Sequence, residues 1–283
     1  MSISREFLKN MTYREDRLFI CGGGHVSIPI IQIGKMLGFH VTVLEDRPVF
    51  ADHARAAGAD EVRCDSFENG LVQIESDSDT YFVIVTRGHR YDMACLRRII
   101  YKENAYIGMM GSRTRVRQVM NTLCEEGIEE ELLRRVHSPV GLSIGAQTPE
   151  EIAVSVMAEL IQVKYKNMNA DHSGGNSNTE FTKEILRAAL SEVPEKRCIA
   201  TIISRKGSAP RRVGTKMVIF EDGSLADTIG GGCMEAEVIR EALFLLKQGE
   251  DKKVIQVNML PEQAEDEGMV CGGVIEVEIE VVM

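Results

Sequence analysis

The sequence predicts a mixed α/β protein in two parts: a Rossmann-like parallel-sheet domain followed by a smaller α+β domain. Three observations carry this. Up to residue 165, short apolar runs alternate with helical patterns, the order expected of a parallel sheet covered by helices. From residue 181 onward the pattern changes to a short helix, a hairpin-like Asp-Gly turn and a closing strand in which apolar residues alternate with acids. Between them the segment 166–180, KNMNADHSGGNSNTE, is too polar to bury a core and reads as a linker.

In the first part, residues 1–165, strands are expected at 18–21, 41–45, 81–86 and 105–109. Helices are expected at 26–37, 92–102 and 113–126. A further helix follows Thr148, where TPEE supplies an N-cap threonine, a proline at the first helical position and Glu151 to close a capping box. In the second part, residues 181–283, a helix at 182–190 leads into the strand CIATIIS. The run KMVIFEDGSL then bends at Asp222-Gly223, a hairpin signal. After Cys233, the residues Val238, Ile239, Ala242, Leu243 and Leu246 recur at helical spacing. The chain closes on VIEVEIEVV, with Ile275, Val277, Ile279 and Val281 on one face of a strand.

Charge and composition exclude several functions. A chain of 283 residues with 44% hydrophobic content can bury two cores. The net charge of -10 argues against nucleic-acid binding and against adhesion to anionic membranes. The polar start MSISREFLKNMTYREDR is no secretory signal, and no apolar run approaches the roughly 20 residues that span a bilayer. A cytoplasmic protein with reduced thiols is the expectation. None of the 7 cysteines forms a C-x-x-C pair, so a structural zinc site is not expected.

The first glycine cluster, CGGGHVSIPI, places Gly22, Gly23 and Gly24 after a strand and at the mouth of a helix. Backbone N–H groups and the helix dipole there suit a pyrophosphate. Glu45 follows Gly24 by 21 residues, the interval at which an acid holds a ribose. The third fingerprint position is Ser27 rather than glycine. Glu45 and Asp46 would repel a 2′-phosphate and favour NAD, while Arg47 could accommodate NADP. Two further loops, TRGHRYD and GMMGSRTR, follow strands at the same sheet edge, so Arg87, His89, Ser112 and Arg113 could converge on a ligand with His25 of the first loop. Plainer alternatives are a loop that only turns the chain, structural histidines, and Arg113, Arg115 and Arg117 as a solvated helix face.

The second cluster is DTIGGGCMEAE. Gly230, Gly231 and Gly232 precede Cys233 in the first turn of a helix, where the dipole lowers a thiol pKa from its usual value of about 8.5. The glycines are expected to bare their amides to an anionic group. A second thiol repeats the arrangement: GMVCGG sets Cys271 beside Gly272 and Gly273, just before the last strand. Upstream, RKGSAPRRVGTK concentrates Arg205, Lys206, Arg211, Arg212 and Lys216 in an acidic protein. An anion cradle beside two soft thiolates suits sulfur chemistry or a soft metal; the alternatives are buried inert thiols and a solvated basic surface.

At these residues the sequence resembles the xanthine dehydrogenase accessory factor (XdhC/CoxI) family. The matching segments are GSAPRRVGTKM, DGSLADTIGGGCMEAEV and EDEGMVCGG in the second part, with CGGGHVSIPI, VTVLEDRP, YIGMMGSR and HSPVGLSIGAQTPEEIAVSVMAELI in the first. The resemblance implies a maturation factor that binds molybdenum cofactor, holds it while its terminal sulfur is installed, and delivers it to a molybdenum hydroxylase. It implies that Gly231, Gly232, Cys233, Cys271, Gly272 and Gly273 meet the cofactor, with Cys233 and Cys271 as molybdenum or sulfur contacts. A hydroxylase client and a cysteine desulfurase are the implied partners, and a homodimer is an admissible assembly. A cofactor chaperone is thus favoured over a turnover enzyme. The rivals are an NAD(P)-dependent oxidoreductase and a nucleotide-sensing scaffold. In the family's usual order the cysteine domain comes first; here the order is reversed.

Overall fold

The computed structural model describes residues 3–11, 15–171, 181–192, 195–207, 211–258 and 273–283. The chain divides into two compact units, Glu15–Gly174 and Met1–Arg14 joined with Gly175–Met283. In chain order the larger unit contains β1 (Arg17–Cys21), α2 (Ser27–Met36), β2 (His40–Glu45), α3 (Pro48–Ala56), β3 (Glu61–Cys64), α4 (Phe67–Gly70), β4 (Thr80–Ile84), α5 (His89–Ile99), β5 (Tyr106–Met109), α6 (Arg113–Glu125), α7 (Glu130–Arg134) and α8 (Pro149–Asp171). The smaller contains α1 (Arg5–Lys9), α9 (Lys183–Leu190), β6 (Arg197–Lys206), β7 (Lys216–Phe220), β8 (Leu225–Ala226), α10 (Gly232–Gln248), β9 (Lys252–Asn258) and β10 (Val274–Val281).

The larger unit is the Rossmann-like domain. Its five strands are parallel and ordered β3-β2-β1-β4-β5. Successive residues of a strand point to opposite faces, and here each face has its own core. Leu18, Ile20, Val41 and Val43 pack with Ile30 and Ile31 of α2 and with Val156 and Leu160 of α8. Phe19, Cys21, Phe82 and Ile84 pack with Leu96 and Ile99 of α5 and Leu123 of α6. Burial on both faces explains why β1 and β4 read as unbroken apolar runs. The capping box forms as expected: Thr148 Oγ1 accepts from the Glu151 N–H at 3.2 Å, and Glu151 accepts from the Thr148 N–H at 3.0 Å. The helix it starts continues to Asp171, six residues into the expected linker; residues 172–180 lie outside the described residues.

The smaller unit is a five-stranded antiparallel sheet, β8-β7-β6-β10-β9. The Asp-Gly hairpin is present, with the Phe220 N–H donating to Ser224 O at 3.0 Å and Gly223 at φ 86°. In β10, Ile275, Val277 and Ile279 face α10, where Val238, Ala242 and Leu245 complete the core. The opposite face is covered partly by α9 and by α1, whose Leu8 is buried among Ile185, Leu186, Ile199 and Val218.

The N-terminus was expected to begin the first domain, yet its contacts are with the second. Ile3 bridges Val282, and the Arg5 N–H donates to Met283 O at 2.7 Å. The guanidiniums of Arg5 and Arg197 cap the end of α9, donating to Leu190 O at 3.0 Å and Ala188 O at 2.8 Å. Along the chain the Rossmann-like domain therefore lies between two segments of the small one. Truncating Leu8 to alanine should cost about 2–4 kcal/mol in the small domain. Hydrogen exchange should then rise in α9, β6 and β7 while β1, β2 and β4 keep their protection.

Candidate functional site

Two glycine turns position the candidate residues, one in each unit. In the larger, the strand order reverses between β1 and β4, and open α/β sheets take ligands at the carboxyl ends of the strands flanking such a point. Gly22 sits there at φ 113°, and a Cβ on it would lie 2.7 Å from Val85 O. Only glycine fits. Its N–H donates to Leu44 O at 2.8 Å, so the turn is pinned to both neighbours of β1. Ser27 is fully buried and donates its hydroxyl to Gly22 O at 2.5 Å. Serine at the third fingerprint position therefore staples the turn to α2.

Glu45 does not face outward as a ribose-holding acid would. It is 1% exposed, and its carboxylate accepts from the Gly23 N–H at 2.6 Å and from Arg47 Nε at 2.7 Å. The Arg47 guanidinium lies 3.7 Å over the Phe50 ring. Asp46 forms a forked pair with Arg87 at 2.5 and 2.8 Å, and that hydrogen-bonded guanidinium pulls its pKa down to about 2. Arg87 also stacks 4.0 Å over the Tyr91 ring. His25, His89 and Arg113 are exposed at this edge, and Ser112 caps α6 by accepting from the Arg115 N–H at 3.3 Å.

Sequence reasoning overlooked Asp92. It is fully buried, accepting from Thr86 Oγ1 at 2.6 Å and from Arg115 Nε at 2.8 Å. Burial raises its pKa against the opposing pull of Thr86 and Arg115. Arg115 is thus the strut between α5 and α6 rather than part of a solvated face.

In the smaller unit, strand register gathers the other motifs at one sheet edge. Val274 pairs with Lys206 on one side and Asn258 on the other, and Thr201 pairs with Lys216. The end of β6, the starts of β7 and β10, the end of β8 and the start of α10 therefore share that edge. Arg205, Lys206, Arg211 and Arg212 are exposed on it. Gly230, Gly231 and Gly232 form the turn into α10, with Gly273 just before β10. Cys271 and Gly272 lie outside the described residues.

All three glycines have positive φ, 135°, 73° and 67°. Gly231 combines its φ of 73° with ψ -178°, a conformation essentially restricted to glycine. The turn delivers Cys233, exposed, as the second residue of α10. Cys198, by contrast, is buried, which pushes its thiol up to about 12.

The amides of Gly230 and Gly231 are not bare, although the sequence suggested that they were. Glu235 reaches back from the first turn of α10 and accepts from the N–H groups of Ile229 and Gly231, each at 3.2 Å, and from the Thr228 hydroxyl. The Gly230 N–H donates to Thr228 Oγ1 at 3.1 Å. An anion approaching this edge would meet the first-turn amides of α10 and the exposed guanidiniums. An acid four residues after an N-cap glycine is the only sequence signal of this arrangement.

Lys216 is no part of an exposed cradle. It is buried, its Nζ donates to Thr201 Oγ1 at 2.9 Å, and it sits 4.6 Å over the Phe181 ring. Burial lowers its pKa to about 8, with Glu280 and Glu278 opposing.

A Rossmann-like domain and a glycine–cysteine antiparallel domain in one chain define the class to which the comparisons point. Residues 18–160 match the XdhC Rossmann domain and residues 192–258 match the XdhC and CoxI family. The chain belongs to the XdhC/CoxI family, with its domains in the order Rossmann-like, then cysteine domain. It is similar to the uncharacterized protein YqeB of Escherichia coli, 34% identical over 52% of this chain and 27% of that one. It is also similar to a probable xanthine dehydrogenase subunit of Bacillus subtilis, 30% identical over 52% of this chain and 43% of the relative. The molybdenum cofactor insertion chaperone PaoD of Escherichia coli is 32% identical over 27% of this chain and 24% of its own. A solved xanthine dehydrogenase from Bacillus halodurans is 33% identical, covering 54% of this chain and 43% of that one at a TM-score of 0.48. The chain thus spans less than half the length of each of these relatives. Among the described residues, no helix is long and apolar enough to cross a membrane.

Two outcomes follow from this geometry. Gly231→Ala should cost about 1–3 kcal/mol through backbone strain, since a Cβ there meets nothing within 4 Å; denaturant unfolding measures it. For Lys216, the folded pKa near 8 lies below the ordinary 10.5. Between these values the unfolded chain binds the extra proton, so stability rises with pH across that window. The unfolding free energy of wild type, less that of Lys216→Met, should therefore rise from pH 8 to 10.5. A difference that stays flat across that window would contradict the assignment.

Proposed function

We propose that this protein is an accessory factor that matures a molybdenum hydroxylase. The small domain takes molybdenum cofactor as cargo, supports its sulfuration and delivers it to a client of the xanthine dehydrogenase type. The observation that carries this reading is Cys233: an exposed thiol at a helix start, presented by three positive-φ glycines, on the sheet edge that also exposes Arg211 and Arg212. That donor set fits the cargo. A thiolate is a soft partner for molybdenum or its terminal sulfur, and guanidiniums match a phosphate with forked hydrogen bonds. Cys271, Gly272 and Gly273 are the proposed second contact. A cysteine desulfurase is the proposed sulfur source, since sulfuration needs a donor.

To the larger domain we assign an adenine nucleotide, NAD or NADP, bound where Gly22 lets backbone approach closely at the switch point. Glu45 supports the turn from beneath, leaving Asp46, Arg47 and Arg87 at the rim, with His25 on the glycine turn itself and His89, Ser112 and Arg113 on the other two loops.

Mass spectrometry of ligands released from protein purified out of cofactor-producing cells tests both assignments. Wild type should release a phosphorylated pterin with molybdenum, and Cys233→Ala should lose it roughly tenfold, a change of about 1.4 kcal/mol in binding. An exposed truncation moves stability by less than about 0.5 kcal/mol, so melting should stay at wild type. Full cofactor on Cys233→Ala would overturn the cargo site. No heat on titration with NAD, NADP or adenosine mononucleotides would leave the first turn a plain connection.

A further inference from the structure

We infer that Glu235 is the positioning residue of the Cys233 site, an inference that rests on the cargo reading above. Three donors converge on one atom, Glu235 Oε2: the Thr228 hydroxyl and the amides of Ile229 and Gly231. Glycine turns with φ of 135°, 73° and 67° have many alternatives in the unfolded chain. Without a partner their freedom would let the start of α10 fray, as helix ends do. The carboxylate removes that freedom from inside the loop and from the helix that bears the thiol. Cys233 lies two residues before Glu235, so the group that closes the turn and the group that meets the cargo share one helical turn.

The same contact decides what the turn can bind. Its amides already face a carboxylate, so a phosphate there would meet a like charge and filled donors. The phosphate end of the cargo is thereby directed to the Arg211 and Arg212 side, and the turn is left to aim sulfur. Because one oxygen accepts all three bonds, glutamine can supply the same acceptor without the charge, whereas alanine supplies nothing.

The test compares Glu235→Gln with Glu235→Ala, since both lack the charge and only one keeps the acceptor. Iodoacetamide labelling of full-length protein, followed peptide by peptide, reads Cys233 directly, with exposed Cys64 and Cys124 as internal references. A first turn that frays no longer holds the Cys233 thiol in one place, so its labelling rate in Glu235→Ala should differ about threefold or more from that in Glu235→Gln. Cys64 and Cys124 should not change. Cofactor retention should be lower in Glu235→Ala, with glutamine near wild type. Thr228→Val, which removes one donor to Glu235 and the acceptor of the Gly230 N–H and should fold whatever alanine does at 235, should shift labelling in the same direction by less. Equal Cys233 labelling in the two Glu235 variants and in Thr228→Val would overturn the inference. If Cys233→Ala keeps its cofactor, the cargo reading fails, and the labelling ratio still decides the role of Glu235.

Discussion

The small domain's site depends on one oxygen atom accepting three hydrogen bonds. Glu235 Oε2 ties Thr228, Ile229 and Gly231 to the first turn of α10. The three glycines make such a turn sterically available, and the carboxylate selects it from the alternatives. Neither suffices alone. β-Branched or bulky residues could not hold those φ angles at acceptable strain, and glycines without a partner would hold no single shape. Cys233 follows that turn, exposed, as the second residue of α10.

The larger domain solves the same problem with different parts. There the turn is fixed by close backbone contact of Gly22 with Val85, by the buried hydroxyl of Ser27 and by Glu45 beneath Gly23. In each unit an acid of the chain satisfies a glycine amide, Gly23 in one and Gly231 in the other. Such internal satisfaction keeps loop donors from being left without partners, which would be costly in a buried or half-buried turn.

Much of the fold was legible because its elements are strongly patterned. The double-sided burial of β1 and β4 makes unbroken apolar runs, and the Thr148–Glu151 box marks its helix start without tertiary context. β3 escaped because EVRC at the sheet edge buries neither face well and carries no apolar period. The five-residue α1 escaped because Leu8 is its only buried residue, too little for periodicity to register. Its allegiance to the small domain rests on pairing between Ile3 and Val282, contacts that no local pattern announces. The positions of Gly230–Gly232 and Cys233 were readable, but the role of the glycines was not. Sequence suggested bare amides, whereas Glu235, four residues on, takes the Gly231 amide and Thr228 takes that of Gly230, leaving backbone conformation as the role of the glycines. Likewise Glu45, Arg115 and Lys216 have the right residue types in the right segments, yet Glu45 and Lys216 are buried and the half-buried Arg115 is committed to Asp92.

The central proposal is that the Cys233 sulfur contacts molybdenum directly in the loaded protein. Molybdenum K-edge absorption spectroscopy on cofactor-loaded wild type and Cys233→Ser tests it most directly. The account predicts a changed sulfur shell around molybdenum in the variant, with the dithiolene contribution retained. Superimposable spectra at equal loading would contradict it.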